Sequence, residues 1–234
     1  MSRYKLHIWE NKRQLAQELA QRVATQLSLG ITKRGYASLA LSGGLTPQIF
    51  LRELSVINID WDKILITLVD ERFVPLEDPR SNQAFLSKYF FKNKAQKSSF
   101  IALYSLGKDL EESIQIANDK IQESICFPFD VVVLGMGTDG HTASFFPQGN
   151  TLFTALDANT PRSVIAIKDG ITHEQRITMT FSALYDARFL AVHIEGAKKK
   201  HTLDQAIAGF DTMKMPIRSI LWHAHSLVEI YWAP

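Results

Sequence analysis

Four short, largely apolar runs in this chain each end abruptly in a glycine-rich or charged loop. Tyr36–Leu41 runs into Ser42-Gly43-Gly44, and Lys63–Val69 into Asp70-Glu71-Arg72. Asp130–Leu134 runs into Gly135–His141, and Phe189–Ile194 into Gly196–Lys199. Such runs suit strands buried on both faces, the condition of a parallel sheet covered by helices. Segments of helical spacing lie between them. Asn11–Leu29 has apolar residues at 15, 19, 20, 23, 24 and 27, with Gly30 as the expected stop. Thr46-Pro47 predicts a helix start, with Thr46 as N-cap and Pro47 at the first position. Asn82–Phe91, Leu110–Ile125 and Lys198–Ala208 also read as helices, and Ser163–Lys168, Arg176–Thr180 and Ser219–Trp222 as strands. Strand–helix alternation predicts a three-layer α/β/α fold with a mostly parallel, Rossmann-like sheet and helices on both faces. The expected organisation is one domain over residues 1–234, with a small subdomain after residue 150 as the only division the pattern allows.

The bulk properties exclude several classes. The 234 residues are 46% hydrophobic and 21% charged, ordinary for a globular chain. A net charge of +2, whose densest basic run is Lys198-Lys199-Lys200, argues against a nucleic-acid partner. No apolar stretch approaches the roughly 20 residues of a membrane span, and the N-terminus lacks the apolar core of a signal peptide. A cytoplasmic location, as a monomer or weak homo-oligomer, is the expectation. Cys126 is the one cysteine, so disulfides are excluded, and its apolar neighbours suit a core residue.

In open α/β sheets ligands bind beyond the carboxyl ends of the strands, so the loops after the apolar runs are the candidate site. Ser42-Gly43-Gly44 precedes a helix start, where backbone N–H groups favour an anion such as phosphate. A plain tight turn fits that stretch equally well. Arg72 is suited to clamp a phosphate. Asp70 is suited to accept from sugar hydroxyls or to orient a base, whereas Glu71 reads as a surface ion-pair residue. Arg176 and Lys199 are further cations at strand ends.

Gly135, Gly137 and Gly140 match the G-x-G-x-x-G spacing of a dinucleotide turn. The segment is mid-chain, however, no acidic residue ends a following strand, and Pro147 leaves little room for a crossover helix. The glycines suit an oxyanion-binding loop instead. His141, expected at a helix start, suits a general base near neutral pH. His7, His173, His193 and His201 have weaker claims. His223 and His225 would share one face of a strand, but no carboxylate or cysteine stands at ligand spacing, so no metal is expected.

LSGGLTP, VDERFVPLEDPRSN, GMGTDGHTASFFP, QRITMTFSAL and GAKKK occur in this order. Together they resemble the 6-phosphogluconolactonases, within the superfamily that includes glucosamine-6-phosphate deaminase. The resemblance runs from about Ser42 to Lys199. It implies hydrolysis of a sugar-phosphate lactone, 6-phosphogluconolactone, without a cofactor. It also separates the branches. Deaminases carry a glutamate five residues after the histidine and a tyrosine after Asp-Glu; here those positions are Phe146 and Arg72. On this reading His141 is the base that activates water. Ser42, Gly43, Gly44 and Thr46 hold the phosphate with Arg72, Arg176 and Lys199, while Gly137 and Gly140 serve the oxyanion. Asp70 and Asp139 are alternatives for holding His141 or contacting sugar hydroxyls. The rival readings are an amino-sugar-phosphate isomerase or deaminase and a non-catalytic sugar-phosphate sensor.

Overall fold

The computed structural model describes residues 3–168 and 174–234; His173 lies outside them. The first half of the chain supplies β1 (Tyr4–Ile8), α1 (Lys12–Arg34), β2 (Ala37–Leu41), α2 (Gln48–Val56), β3 (Ile64–Leu68), β4 (Asp70–Arg72) and α3 (Asn82–Tyr89). Next come β5 (Ser99–Ile101), α4 (Leu110–Ser124), β6 (Val131–Leu134), α5 (Leu152–Leu156), β7 (Val164–Lys168), β8 (Gln175–Met179) and α6 (Phe181–Leu184). β9 (Phe189–Glu195), α7 (Ala197–Ile207), α8 (Ile217–His223) and β10 (Val228–Ala233) complete it.

Among the described residues, seven strands form an all-parallel sheet in the order β1-β10-β9-β6-β2-β3-β5. A second sheet, β4-β8-β7, is antiparallel and draws its strands from both sides of residue 150. β2 and β6 are buried along their whole length, which is why they read as continuous apolar runs. α1 and α2 cover one face of the large sheet. Arg22 of α1 lies over the Phe189 ring, and Phe50 of α2 meets His193 edge-on at 6.0 Å. Trp222 of α8 packs on Tyr4 from the other face, with α7 beside it. No helix among the described residues is long and apolar enough to cross a membrane.

The expected alternation is observed, with corrections at its ends. α1 passes through a buried Gly30 and stops four residues after it, at Arg34. The stop is Gly35, whose left-handed conformation (φ 84°) lets its N–H reach the Ile31 carbonyl. Ser219–Trp222 belongs to helix α8, not to a strand: Ile217, Ile220 and Leu221 recur at helical spacing and are buried. His223 ends α8 and His225 lies beyond it, so the two share no strand face. β1 gave no sequence expectation, and strands expected around His223–Tyr231 had no role; β1 and β10 (Val228–Ala233) close one side of the sheet. The loops after β2, β3, β6 and β9 emerge at the same carboxyl edge of the parallel sheet.

Candidate active site

Those four loops enclose a cavity of about 220 Å³. It is lined by Ser42, Gly43, Gly44, Thr46, Asp70, Arg72, Gly137, His141, Arg176 and Lys199, all expected from sequence. Asp139 and Gly140 are not among its lining residues.

The β2 loop is tied to the β6 loop. The Ser42 N–H donates to the Val133 carbonyl, and Ser42 Oγ accepts from the Gly135 N–H at 3.1 Å. Gly43 leaves room for Asn82, whose side chain would overlap a β-carbon there and instead donates to the Asp70 carbonyl at 2.9 Å. Thr46 is not the N-cap of α2. Pro47 takes that place with no capping side chain, and Thr46 Oγ1 accepts from Lys199 Nζ at 2.9 Å. The first-turn N–H groups of α2 are thus left without a side-chain acceptor, beside an ammonium, where an anion fits.

The Asp70–Arg72 strand separates three roles. Asp70 is buried, accepts from Ser144 Oγ at 2.7 Å, and lies 3.8 Å from an Arg176 guanidinium nitrogen. Glu71 is not a surface ion-pair residue. It is 1% exposed, and its carboxylate takes the N–H groups of Arg72, Asn82 and Gln83, each at 2.7 Å, and the Ser81 hydroxyl. Burial raises its pKa above the usual carboxylate value, against the pull of those hydrogen bonds. Glu71 therefore caps α3 and fixes the floor on which Asp70 and Asn82 sit. Arg72 donates to the Arg80 carbonyl, and Arg176 pairs with Glu174 at 2.6 Å. The Nε of each arginine is buried without a hydrogen-bond partner among the described residues.

In the β6 loop, Asp139 Oδ1 lies 2.6 Å from His141 Nδ1 and accepts the His141 N–H at 3.1 Å. Burial alone would raise the Asp139 pKa, but the hydrogen bonds and charge of His141 hold it below the usual range. A carboxylate at Nδ1 keeps the proton there, so Nε2 carries the lone pair. The geometry thus divides the two aspartates: Asp139 orients His141, and Asp70 serves Ser144 and Asn82. His141 does not start a helix; an isolated bridge between Thr142 and Phe145 follows it. Gly137 is required by close approach, because a β-carbon would overlap the His141 ring and lie 2.6 Å from Asp139 Oδ1. The N–H groups of Gly135, Gly137 and Gly140 already donate to Ser42 Oγ, the His141 carbonyl and the Gly137 carbonyl. All three are therefore engaged, Gly135 with the β2 loop and the other two within their own loop, and are not free for an oxyanion. Phe146 lies against both flanking groups, tilted 47° to the His141 ring at 4.8 Å and with the Arg176 guanidinium over it at 5.0 Å.

Sequence reasoning gave Asn82 and Ser144 no role and ranked His193 low. Asn82 and Ser144 stand inside the quoted motifs, so position in a motif was their only signal. His193 sits three residues before Gly196, on a strand that reads as plain core. It lines the cavity and bonds Glu195 through Nε2 at 3.1 Å. Lys199 has its pKa lowered by burial, with Glu195 opposing. Among the described residues, no group of three or more His, Cys, Asp or Glu side chains is placed to hold a metal ion.

The family model described as glucosamine-6-phosphate isomerases/6-phosphogluconolactonase matches residues 10–232 of the chain. The chain is 49% identical over 229 residues to the 6-phosphogluconolactonase of Rhizobium meliloti (strain 1021), covering 98% of each. It is 42% identical over 231 residues to that of Mesorhizobium japonicum, covering 99% of this chain and 96% of the other. A crystal structure of a 6-phosphogluconolactonase from Shewanella baltica OS155 superposes with a TM-score of 0.93 at 33% identity, covering 99% and 98% of the two chains.

Proposed function

Because the chain belongs to the glucosamine-6-phosphate isomerase/6-phosphogluconolactonase family, we propose that it hydrolyses 6-phosphogluconolactone to 6-phosphogluconate. The observation that carries the reading is the Asp139–His141 pair at 2.6 Å beside a cavity that also holds Lys199, Arg72 and Arg176. A histidine whose Nδ1 is held by a carboxylate suits water activation through Nε2, and the cations suit a phosphate.

The 6-phosphate seats on the Ser42–Gly44 turn and the α2 N-terminus, with Lys199 and Thr46 closing around it. Arg72 and Arg176 add positive charge from the small sheet. This anchoring fixes the distant lactone carbonyl, so that binding energy from the phosphate lowers the barrier at C1. His141 Nε2 takes a proton from water as its oxygen bonds to C1. The carbonyl electrons move to oxygen, giving a tetrahedral oxyanion. Its collapse breaks the bond from C1 to the ring oxygen, and protonated His141 returns the proton to that oxygen. Asp139 stabilises the transient imidazolium and keeps its proton on Nδ1. With the Gly135, Gly137 and Gly140 N–H groups engaged, oxyanion stabilisation falls to other donors lining the cavity.

Phe146 removes the second acid that ring opening and isomerisation need, which favours hydrolysis over deamination. We read the chain as one catalytic domain, acting as a monomer or weak homo-oligomer. A phosphorylated substrate that cannot cross a bilayer unaided supports a cytoplasmic location. The test is a coupled lactonase assay against the spontaneous hydrolysis rate, with ammonia release from glucosamine 6-phosphate measured in parallel. Lactone hydrolysis no faster than the spontaneous rate overturns the proposal, and ammonia release moves the chain to the other branch.

A further inference from the structure

We propose that His193 completes the phosphate subsite and takes up a proton from solvent when a phosphate dianion seats beside Lys199. The proposal rests on the reading above only for where the phosphate lies.

His193 is 2% exposed and lines the cavity. Its Nε2 lies 3.1 Å from Glu195 Oε1, while its Nδ1 is buried with no hydrogen-bond partner among the described residues. A carboxylate acceptor keeps the ring proton on Nε2 and leaves a lone pair at Nδ1. A buried nitrogen without a partner is costly unless a ligand group meets it. Protonation turns that atom into a donor aimed at an anion.

The groups around the ring set the direction of the coupling. Glu195 faces it from its own strand, and Lys12 of α1 lies 3.7 Å from the second Glu195 oxygen. Lys199 approaches from the first turn of α7, and α2 contributes the apolar Phe50. Tyr231 is its register partner on β10, with a phenol pushed up to about 12 by burial and therefore neutral. On the other side, Leu134 ends β6 opposite Val192 and Gly135 follows it, neither titratable. In the free site burial and the Lys199 charge lower the His193 pKa, against Glu195, and the ring is held neutral. A dianion on Lys199 cancels the repulsion and adds attraction, so the imidazolium becomes the favoured form. The step balances simply: Nδ1 gains one proton from solvent and no ligand bond breaks. Affinity for the dianion then falls as pH rises between the free and the bound pKa of His193, by up to about tenfold per pH unit.

Calorimetry with 6-phosphogluconate, and separately with inorganic phosphate, tests this in two buffers of unequal ionisation enthalpy at one pH above neutrality. The wild type is expected to take up about one proton more than His193→Gln, which keeps a donor for Glu195 but does not titrate. Titration of the ligand's own phosphate is common to both proteins and cancels. Equal proton uptake overturns the proposal. If His193→Gln fails to fold, ring nitrogen-15 spectra of the wild type decide. A buried histidine that passes from singly to doubly protonated on adding phosphate supports the proposal, and an unchanged spectrum overturns it. If 6-phosphogluconate does not bind but inorganic phosphate does, the lactone reading fails and the proton comparison is made with inorganic phosphate. If neither binds, both proposals fall.

Discussion

Arg72 and Arg176 stand directly opposite each other across the antiparallel ladder of β4 and β8, and both line the cavity. Like charges in cross-strand register destabilise a sheet unless an anion lies between or beside them. Here the guanidinium Nε atoms are also buried, with no partner among the described residues, and both arginines line the cavity where a phosphorylated substrate can meet their donors. Replacing either with Gln is expected to raise KM by about 10- to 100-fold, the worth of a hydrogen bond to a charged group. The stability gained on adding 6-phosphogluconate should shrink in the same variant. An unchanged KM and an undiminished ligand-induced shift in Tm would remove that arginine from the site.

His141→Ala is expected to lower kcat by about 10² to 10⁴, the usual contribution of general-base help, with the fold and KM little changed. Asp139→Asn should also lower kcat, because an amide at Nδ1 no longer fixes which ring nitrogen carries the proton. Steady-state kinetics on the two variants and the double variant check this. Losses that multiply independently in the double variant would show that Asp139 does not act through His141.

Gly137→Ala isolates a steric effect. The backbone there does not require positive φ, so the added methyl matters only through its overlap with the His141 ring and the Asp139 carboxylate. The variant should lose kcat to an extent approaching His141→Ala while Tm falls little. Wild-type kcat in Gly137→Ala would mean that His141 tolerates displacement.

Glu71 links stability to pH. Its folded pKa is raised by burial, so its contribution is fully present below the unfolded carboxylate value, about 4.3. That contribution declines as pH rises through the raised folded value. Urea unfolding across the carboxylate range should show this decline in the wild type and lack it in Glu71→Gln. Glu71→Ala strips acceptors from the N–H groups of Arg72, Asn82 and Gln83 and should cost about 1–3 kcal/mol for each buried donor left unmet. An undiminished urea midpoint in Glu71→Ala would show that those donors find other partners.

The alternation of apolar runs with helical segments was legible from the chain, and with it the parallel sheet and the edge where the loops gather. Burial on both faces forces a continuous apolar strand, and that signature is local. Ser42–Gly44, Asp70–Arg72, Gly135–His141 and Lys199 could be named as one site for the same reason: they end those strands. Partner choice was not local. Glu71 looked like a surface acid because nothing near it in sequence reveals that three N–H groups converge on its carboxylate. Thr46 looked like a cap because Lys199, which claims its hydroxyl, lies 153 residues away. Asp70 and Asp139 were interchangeable on paper, and only the fold of the glycine loop sets one of them against His141. His193 hid inside an apolar strand whose alternation turns its ring towards Phe50 and the cavity. Hydrophobic period therefore determined which segments form the sheet, while strand register and crossover decided which polar atoms meet. The second depends on contacts between residues far apart in the chain, to which a local pattern is blind.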